Sequence, residues 1–307
     1  MFYDLNIPWT SARDPELPRT LAFLAELGYD VVALNHTLTG KLPAELECAI
    51  PSPLPFAIPP KLTILRRLTL PLTTPINNAR LRSLASGYDI LALRPSDEKN
   101  LQSVCSAMDC DIISIDLTQR LGYHFRFKML ADAARRGVRF EICYAGGLVG
   151  DSNARRNTIS NVTGLVRASR GRGLLVTSEA KKTGACRAPW DVVNLLAVWG
   201  LKQEIAFEAV SKDARSVVVQ AGLKRSGWRG VVDVVYGGED EPNVGVQGSE
   251  VAKQKGQIGH GTKRKAETVD SSDAGGEKPL SKREMKRRAK KARDESGTDT
   301  AAQSSAG

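Results

Sequence analysis

The chain has 307 residues, 41% of them hydrophobic and 25% charged, which is enough to bury a sizeable core in one large domain or two small ones. Its formal net charge of +10 favours a polyanionic partner. The first residues lack a basic segment followed by an apolar run, and no apolar stretch reaches the roughly 18 residues of a membrane span, so neither a secreted nor a membrane protein is predicted.

Short apolar runs alternate with helical patterns along the first two thirds of the chain. The runs predict seven strands, at residues 2–6, 30–36, 62–70, 88–94, 111–117, 138–145 and 173–179. The segments between them have apolar residues at helical spacing, and several end at a glycine, the usual stop signal of a helix. The spacing from strand to strand is that of a strand-plus-helix unit, which predicts a parallel sheet.

Two further segments depart from this alternation. Residues 37–60 are rich in proline, which excludes a regular element and predicts a surface insertion. Residues 201–222 predict two short helices that close the domain. Successive strand–helix units wind either a barrel or an open sheet, and no glycine-rich nucleotide-binding motif follows any strand. We therefore predict an α/β fold, a TIM-like (β/α)7 barrel of parallel strands, over residues 1–236.

The composition changes after Tyr236. Residues 237–307 have few large apolar side chains and much Gly, Ser, Lys and Glu, which predicts a disordered, charged tail. Two basic clusters in it are typical of nuclear localisation or nucleic-acid contacts, although a tail that only solubilises the chain has the same composition. They contain Lys263, Arg264 and Lys265, and then Lys286, Arg287, Arg288, Lys290 and Lys291.

Catalytic chemistry is sought at the carboxyl ends of the strands, where enzymes with such barrels place their reacting groups. A metal-dependent phosphoesterase is the catalytic alternative, because Asp116 and Glu179 end strands and carboxylates hold divalent cations. The chain has only three histidines, His36, His124 and His260, too few for this class of site. The five cysteines are scattered, expected to be reduced and mostly buried, and no nucleophile motif occurs. We predict no catalytic site, no metal site and no cofactor.

Basic residues are the stronger signal. Two loops that leave the same end of a parallel barrel carry cations, and they predict a basic rim suited to phosphate contacts. These are Lys181, Lys182 and Arg187 after the last strand, and Arg155 and Arg156 after the sixth. On the helix beginning near Asn153, Arg156 and Arg167 should lie side by side, next to a buried stripe of Ile159, Val162 and Val166. Gly146, Gly147, Gly150 and Gly184 would let a ligand approach the backbone. A solvated rim without a partner is the alternative.

Several segments, in order, resemble the thirty-kilodalton protein subunit family of ribonuclease P and ribonuclease MRP over residues 1–225. They are LGYDVVALNH, LTILRRLTL, YDILALRP, FEICYAGGLVGDSNARRNTISN, LLVTSEA and RAPWDVVNLLAVWGL. The most specific pieces are the run R-x-T-I-S-N and the pattern R-x-P-x-D-V-x-N-L from Arg187 to Leu195.

The resemblance implies a seven-stranded barrel related to the polymerase and histidinol phosphatase hydrolases. Those relatives open with a metal-binding H-x-H pair, whereas this chain has Asp4-Leu5-Asn6. The residues expected to be structural at the barrel mouth are Asp4, Asn6, Asn35, His36 and Ser178.

The resemblance also implies a non-catalytic subunit of a nuclear and nucleolar ribonucleoprotein, whose RNA cleaves precursor tRNA and which also processes rRNA. The implied partners are the catalytic RNA of ribonuclease P or MRP, precursor tRNA and other protein subunits, with no membrane. The basic rim would then face RNA or a neighbouring subunit. A barrel scaffold that binds only proteins is a third possibility.

Overall fold

The computed structural model describes residues 1–40, 43, 46–73 and 76–226. Seven strands form one sheet in chain order, each parallel to the next, which confirms the predicted barrel. The strands are β1 Tyr3–Pro8, β2 Val31–Thr37, β3 Thr63–Leu72, β4 Ile90–Pro95, β5 Ile112–Ser114, β6 Arg139–Cys143 and β7 Leu174–Thr177. The predicted tail at 237–307, with its two basic clusters, lies outside the described residues.

The helices lie between the strands and after the last of them. They are α1 Glu16–Glu26, α2 Asn78–Ala85, α3 Glu98–Ser106, α4 Phe127–Arg135, α5 Ala145–Val149, α6 Ser152–Ser169, α7 Pro189–Val198, α8 Gln203–Val210 and α9 Lys212–Ser226, with a 3-10 turn at Thr183–Ala185. The predicted glycine stops are confirmed, because Gly28, Gly137 and Gly171 have φ values of +93°, +83° and +75°. In the described part of the proline-rich segment, β2 continues to β3 without a helix. None of the described helices is both long and apolar enough to cross a bilayer.

The barrel is nearly closed at the seam between β1 and β7. The Glu179 amide donates to the Asn6 carbonyl at 3.0 Å, just beyond the end of β7. The Ser178 amide donates to the Asp4 carboxylate at 3.1 Å. A side-chain acceptor therefore takes the place of one of the backbone acceptors that would pair β7 with β1. These bonds bring the ends of the first and last strands together at the mouth.

Helix α9 closes the opposite end of the barrel. Its Ala214, Val217 and Ala221 pack in one buried cluster with residues at the starts of the strands, among them Val31 and Ile90. Buried Asp111, at the start of β5, accepts hydrogen bonds from Lys224 at 3.0 Å and Arg225 at 2.9 Å, which fixes the end of the helix. The prediction of two closing helices is confirmed, with α9 reaching Ser226. The amino end of the barrel is therefore filled by apolar side chains.

Candidate functional site

The centre of the barrel holds a fully buried ion pair. Arg67 of β3 and Glu141 of β6 are both 0% exposed, and the Arg67 guanidinium donates to both carboxylate oxygens of Glu141, at 2.7 Å for Nη2 and Oε2. The same guanidinium donates to the Leu5 carbonyl at 2.8 Å. Burial by itself raises the pKa of Glu141, but the charge and hydrogen bonds of Arg67 outweigh it and hold the pKa at about 2. Glu141 is therefore ionised.

Four neutral polar side chains surround this ion pair. Together with it they form what we call the interior cluster, which consists of Asn6, Asn35, Arg67, Thr69, Glu141 and Thr177. Thr69 donates to Asn35 at 2.7 Å, and Asn35 donates to Asn6, also at 2.7 Å. Asn6 and Thr177 then donate to Glu141 at 3.2 and 2.8 Å. The polar side chains of the cluster form hydrogen bonds with one another, as buried polar groups generally do. A guanidinium already neutralises its one carboxylate, and no group of three or more His, Cys, Asp or Glu side chains within the described residues is arranged to hold a metal.

Asp4 lies at the seam and not in the interior cluster. Its Oδ1 accepts from the amides of Ser178 and Asn6 at 3.1 and 3.2 Å, while Oδ2 is buried without a partner in the described structure. From the sequence, Asp4 and Asn6 are predicted to share one face of the strand because they are two residues apart, but this is wrong, since the pairing register of β1 with β2 shifts between Asp4 and Ile7. Such an irregularity breaks the alternation of side chains along a strand. Burial raises the pKa of Asp4 to about 6, against the hydrogen bonds from Ser178.

His36 was also expected at the mouth, but it lies outside the barrel. It is half-buried, its Nδ1 is 2.7 Å from the Tyr88 hydroxyl, and the two rings stack. The reason is the two-residue alternation of a strand: Asn35 points into the interior cluster, so its neighbour His36 points away. Its structural role is in keeping with the expectation, although its position is not.

The groups considered for catalysis are otherwise engaged. Glu179 pairs with Arg94 at 2.7 Å, and the exposed Asp116 accepts from the hydroxyl and amide of Thr118, two residues along the chain. Burial raises the pKa of Cys186 to about 12, and the pKa of Cys143 is also well above its usual value for the same reason, so neither is a thiolate nucleophile.

The loop after β7 carries three of the predicted rim cations. Lys181 and Lys182 are exposed. Arg187 is half-buried, and its guanidinium donates to the carbonyls of Gly184 at 2.9 Å and Cys186 at 2.7 Å. Arg187 therefore orders this loop, whereas the ammonium groups of the two lysines are exposed and have no ion-pair partner among the residues that the structure describes.

The other three predicted cations lie on α6, whose first turn is capped by Asp151 through the Ala154 amide at 2.7 Å. Arg155 donates to the Leu148 carbonyl at 3.3 Å. Arg156 and Arg167 share one open groove of about 980 Å³, which Lys181, Lys182, Arg187 and Arg155 do not line. That all these cations form a single rim stays a prediction.

Two expectations about this helix and its approach are corrected. Ile159 is 42% exposed, and the buried stripe instead consists of Thr158, Val162, Leu165, Val166 and Ser169. A Cβ at Gly146 or Gly147 would come within 2.7 or 2.8 Å of Thr118 or Thr158, and one at Gly150 within 2.4 Å of the Gly146 carbonyl. These three glycines therefore serve close packing inside the protein, and of the four predicted glycines Gly184 alone has open space around it.

The opposite wall of the groove was missed from the sequence. It is formed by residues 120–125, which contribute Arg120 and the exposed His124. The available signal was the R-x-T-I-S-N run, since Asn161 at its end donates to the carbonyls of Leu117 and Gln119 at 2.9 and 2.8 Å. That contact brings the two walls together.

A protein family described as RNase P subunit p30 matches residues 1–226, the whole span of the barrel and its closing helix. The chain belongs to the RNase P subunit p30 family. This p30 chain is 40% identical over 237 residues to the probable ribonuclease P protein subunit 3 of Schizosaccharomyces pombe, with 76% of the chain and 99% of that protein covered. It is 28% identical over 291 residues to the ribonuclease P/MRP protein subunit RPP1 of Saccharomyces cerevisiae, with 86% and 99% covered.

The barrel of this p30 chain is similar to a chain in the cryo-EM structure of archaeal ribonuclease P with mature tRNA. The TM-score is 0.58 at 13% identity, and 78% of this chain and 100% of the other are covered. This similarity supports the fold. Eukaryotic relatives such as the ribonuclease P protein subunit p30 of Mus musculus, 32% identical over 222 residues with 69% and 82% covered, imply a nuclear particle.

Proposed function

We propose that this p30 chain is a non-catalytic protein subunit of ribonuclease P, and also of ribonuclease MRP, that binds RNA and neighbouring protein subunits. It would act in 5′ maturation of precursor tRNA and in rRNA processing, with the nucleolus as its site within the nucleus. Membership of the p30 family over residues 1–226 carries this proposal. The chemistry belongs to the RNA of the particle, and the protein supplies structure and charge.

The barrel interior supports a role without chemistry of its own. A catalytic metal needs carboxylates or imidazoles with free lone pairs. Both carboxylate oxygens of Glu141 accept hydrogen bonds from Arg67. The Asn6 side-chain amide on β1 donates to Glu141 and accepts from Asn35. The phosphoesterase alternative therefore has no ligand set to work with in the part of the barrel that the structure describes.

The function is tested by purifying the tagged full-length protein from its own cells and sequencing the RNA that accompanies it. We expect the RNA of ribonuclease P or MRP, together with 5′-extended precursor tRNA, and accumulation of such precursors when the protein is depleted. Recovery of partner proteins without any RNA would favour the scaffold that binds only proteins. Phosphoesterase turnover by the purified chain with manganese, zinc or magnesium would favour an enzyme.

We further propose that Lys181 and Lys182 contact RNA phosphates. The double change Lys181→Gln/Lys182→Gln should lower ultraviolet crosslinking of the chain to RNA roughly threefold and reduce the slope of log affinity against log salt by about one to two. Arg187 is left intact because it orders the loop. The matched control is Lys61→Gln/Lys99→Gln, which removes the same charge from exposed positions elsewhere. Equal loss in both variants would show that only net charge matters.

A further inference from the structure

The groove beside α6 is a basic surface that contains two of the predicted cations, Arg156 and Arg167, but none of the other four. We call it the α6 groove: the open space between residues 120–125 and the helix α6. Its cationic lining consists of Arg120, Arg156 and Arg167, with His124 beside them, and none of the described residues that line it is acidic. A concentration of one sign of charge in a concave site attracts the opposite charge more strongly than a flat surface does.

The three guanidiniums are available for a ligand. All three arginines are exposed, and none forms an ion pair or side-chain hydrogen bond with the described part of the chain. Other exposed arginines nearby are already paired, such as Arg126 with Glu98 at 2.9 Å. Unpaired positive charges on both walls of one groove repel each other, and a bound anion would relieve that repulsion.

The walls of the α6 groove are held in place before any ligand arrives. Asn157 donates to the Thr118 carbonyl at 3.0 Å, and Asn161 donates to the carbonyls of Leu117 and Gln119. Thr158, between them, is fully buried and packs against Gly147. The R-x-T-I-S-N run is thereby explained: Arg156 and Ser160 line the groove, while Thr158 and Asn161 fix its walls.

We propose that the α6 groove binds the sugar–phosphate backbone of an RNA strand through Arg120, Arg156 and Arg167. Arg156 and Arg167 are eleven residues apart on one helix, which at 1.5 Å per residue is about 16 Å, long enough to span several phosphates of one strand. Guanidinium groups bind phosphate in a bidentate manner, which suits the repeating charge of such a strand. This inference rests on the proposed function and names the surface that would carry it.

A protein partner fits the α6 groove less well. The centre of a protein–protein interface is depleted of most charged residues, although arginine and aromatic residues are enriched there, whereas a nucleic-acid interface is strongly positive as a whole. The lining combines the three arginines and the polar residues of α6 with the aromatic rings of Tyr123 and Phe125. Aromatic rings also give nucleotide bases a surface on which to stack, so the uncompensated positive charge is what favours RNA. An acidic protein segment is therefore an outcome that the experiment must separate from RNA.

The test compares the full-length wild type with Arg120→Gln/Arg156→Gln/Arg167→Gln, and with a control, Arg13→Gln/Arg172→Gln/Lys202→Gln, that removes equal charge from exposed positions outside the groove. Binding to a 20-nucleotide oligouridine is measured over a salt series, and ultraviolet crosslinks to RNA in the purified particle are mapped by mass spectrometry. We expect the groove variant to bind roughly tenfold more weakly and its salt slope to fall by about two, with the control much less affected. Crosslinked peptides should fall in residues 117–126 and 152–169.

Three outcomes are decisive. If wild type, groove variant and control all bind and crosslink alike, the α6 groove is not an RNA site, although the chain remains an RNA-binding subunit. If the groove variant keeps its RNA crosslinks but loses a protein subunit from the purified particle, the groove binds an acidic protein segment and the inference is overturned. If even the wild type carries no RNA, the proposed function itself fails. Far-ultraviolet circular dichroism of each variant shows that the barrel is intact.

Discussion

Replacing Arg67 with methionine should lower the free energy of unfolding by roughly 3–5 kcal/mol, because it leaves Glu141 in the barrel interior without its counter-charge. Both side chains are 0% exposed, so water cannot replace the lost guanidinium. The measurement is urea unfolding followed by tryptophan fluorescence at neutral pH.

The control for this prediction removes both charges. In Arg67→Met/Glu141→Leu no buried charge remains, and such apolar replacements of a buried pair are often neutral or stabilising. The double variant should therefore recover much of the stability that the single variant loses. Equal instability of the two would mean that the hydrogen bonds to Thr69, Asn6 and Thr177, and not the charge, dominate the interior cluster. Recovery of stability in the double variant would show that Arg67→Met destabilises the protein because it leaves the Glu141 carboxylate buried without a counter-charge.

Asp4→Asn should change how stability depends on pH. Burial raises the pKa of Asp4 to about 6 in the folded chain, so its neutral form is favoured. The stability that this neutral form contributes is fully present below the unfolded pKa of roughly 3.9 and is lost as pH rises through about 6. Between pH 4 and pH 8 the loss amounts to roughly 2–3 kcal/mol, taken at about 1.4 kcal/mol per pKa unit.

The asparagine variant keeps the acceptor for the amides of Ser178 and Asn6 but cannot ionise. The wild type should therefore lose stability relative to Asp4→Asn between pH 4 and pH 8, when both are unfolded by urea at each pH. Glu141 contributes equally in both proteins, because its pKa is lowered to about 2 and its stabilisation disappears only as pH falls through that value. Parallel pH curves for the two proteins would show that Asp4 titrates normally.

The barrel and its strand order were predictable because they depend on local patterns. Each of the seven strands is a short apolar run, and residues that favour turns or end helices, such as Gly28 and Gly137, stand where the chain reverses. The paucity of histidine argued against a metal site from composition alone. The R-x-T-I-S-N run indicates the family from the sequence alone, whereas its role depends on the residues that it contacts in the folded chain.

The interior of the barrel was not predictable to the same degree. Arg67 and Glu141 are 74 residues apart in the chain, and only the closure of the barrel brings them into contact. The register shift in β1 is decided by pairing with β2, so the two-residue rule failed for Asp4 and Asn6. The sequence predicts His36 at the mouth because it ends the second strand, but Asn35 also ends that strand, and adjacent residues of a strand point in opposite directions.

The sequence by itself therefore determined the elements, their order, the family and the excess of positive charge, since hydrophobic period, glycine position and composition are local properties. Only the tertiary structure decided which of those charges meet. Arg120 faces Arg156 and Arg167 because Asn157 and Asn161 hold a distant loop against α6, while Arg187 satisfies carbonyls of its own loop. Contacts between residues far apart in the chain depend on packing in three dimensions, and no local pattern encodes them.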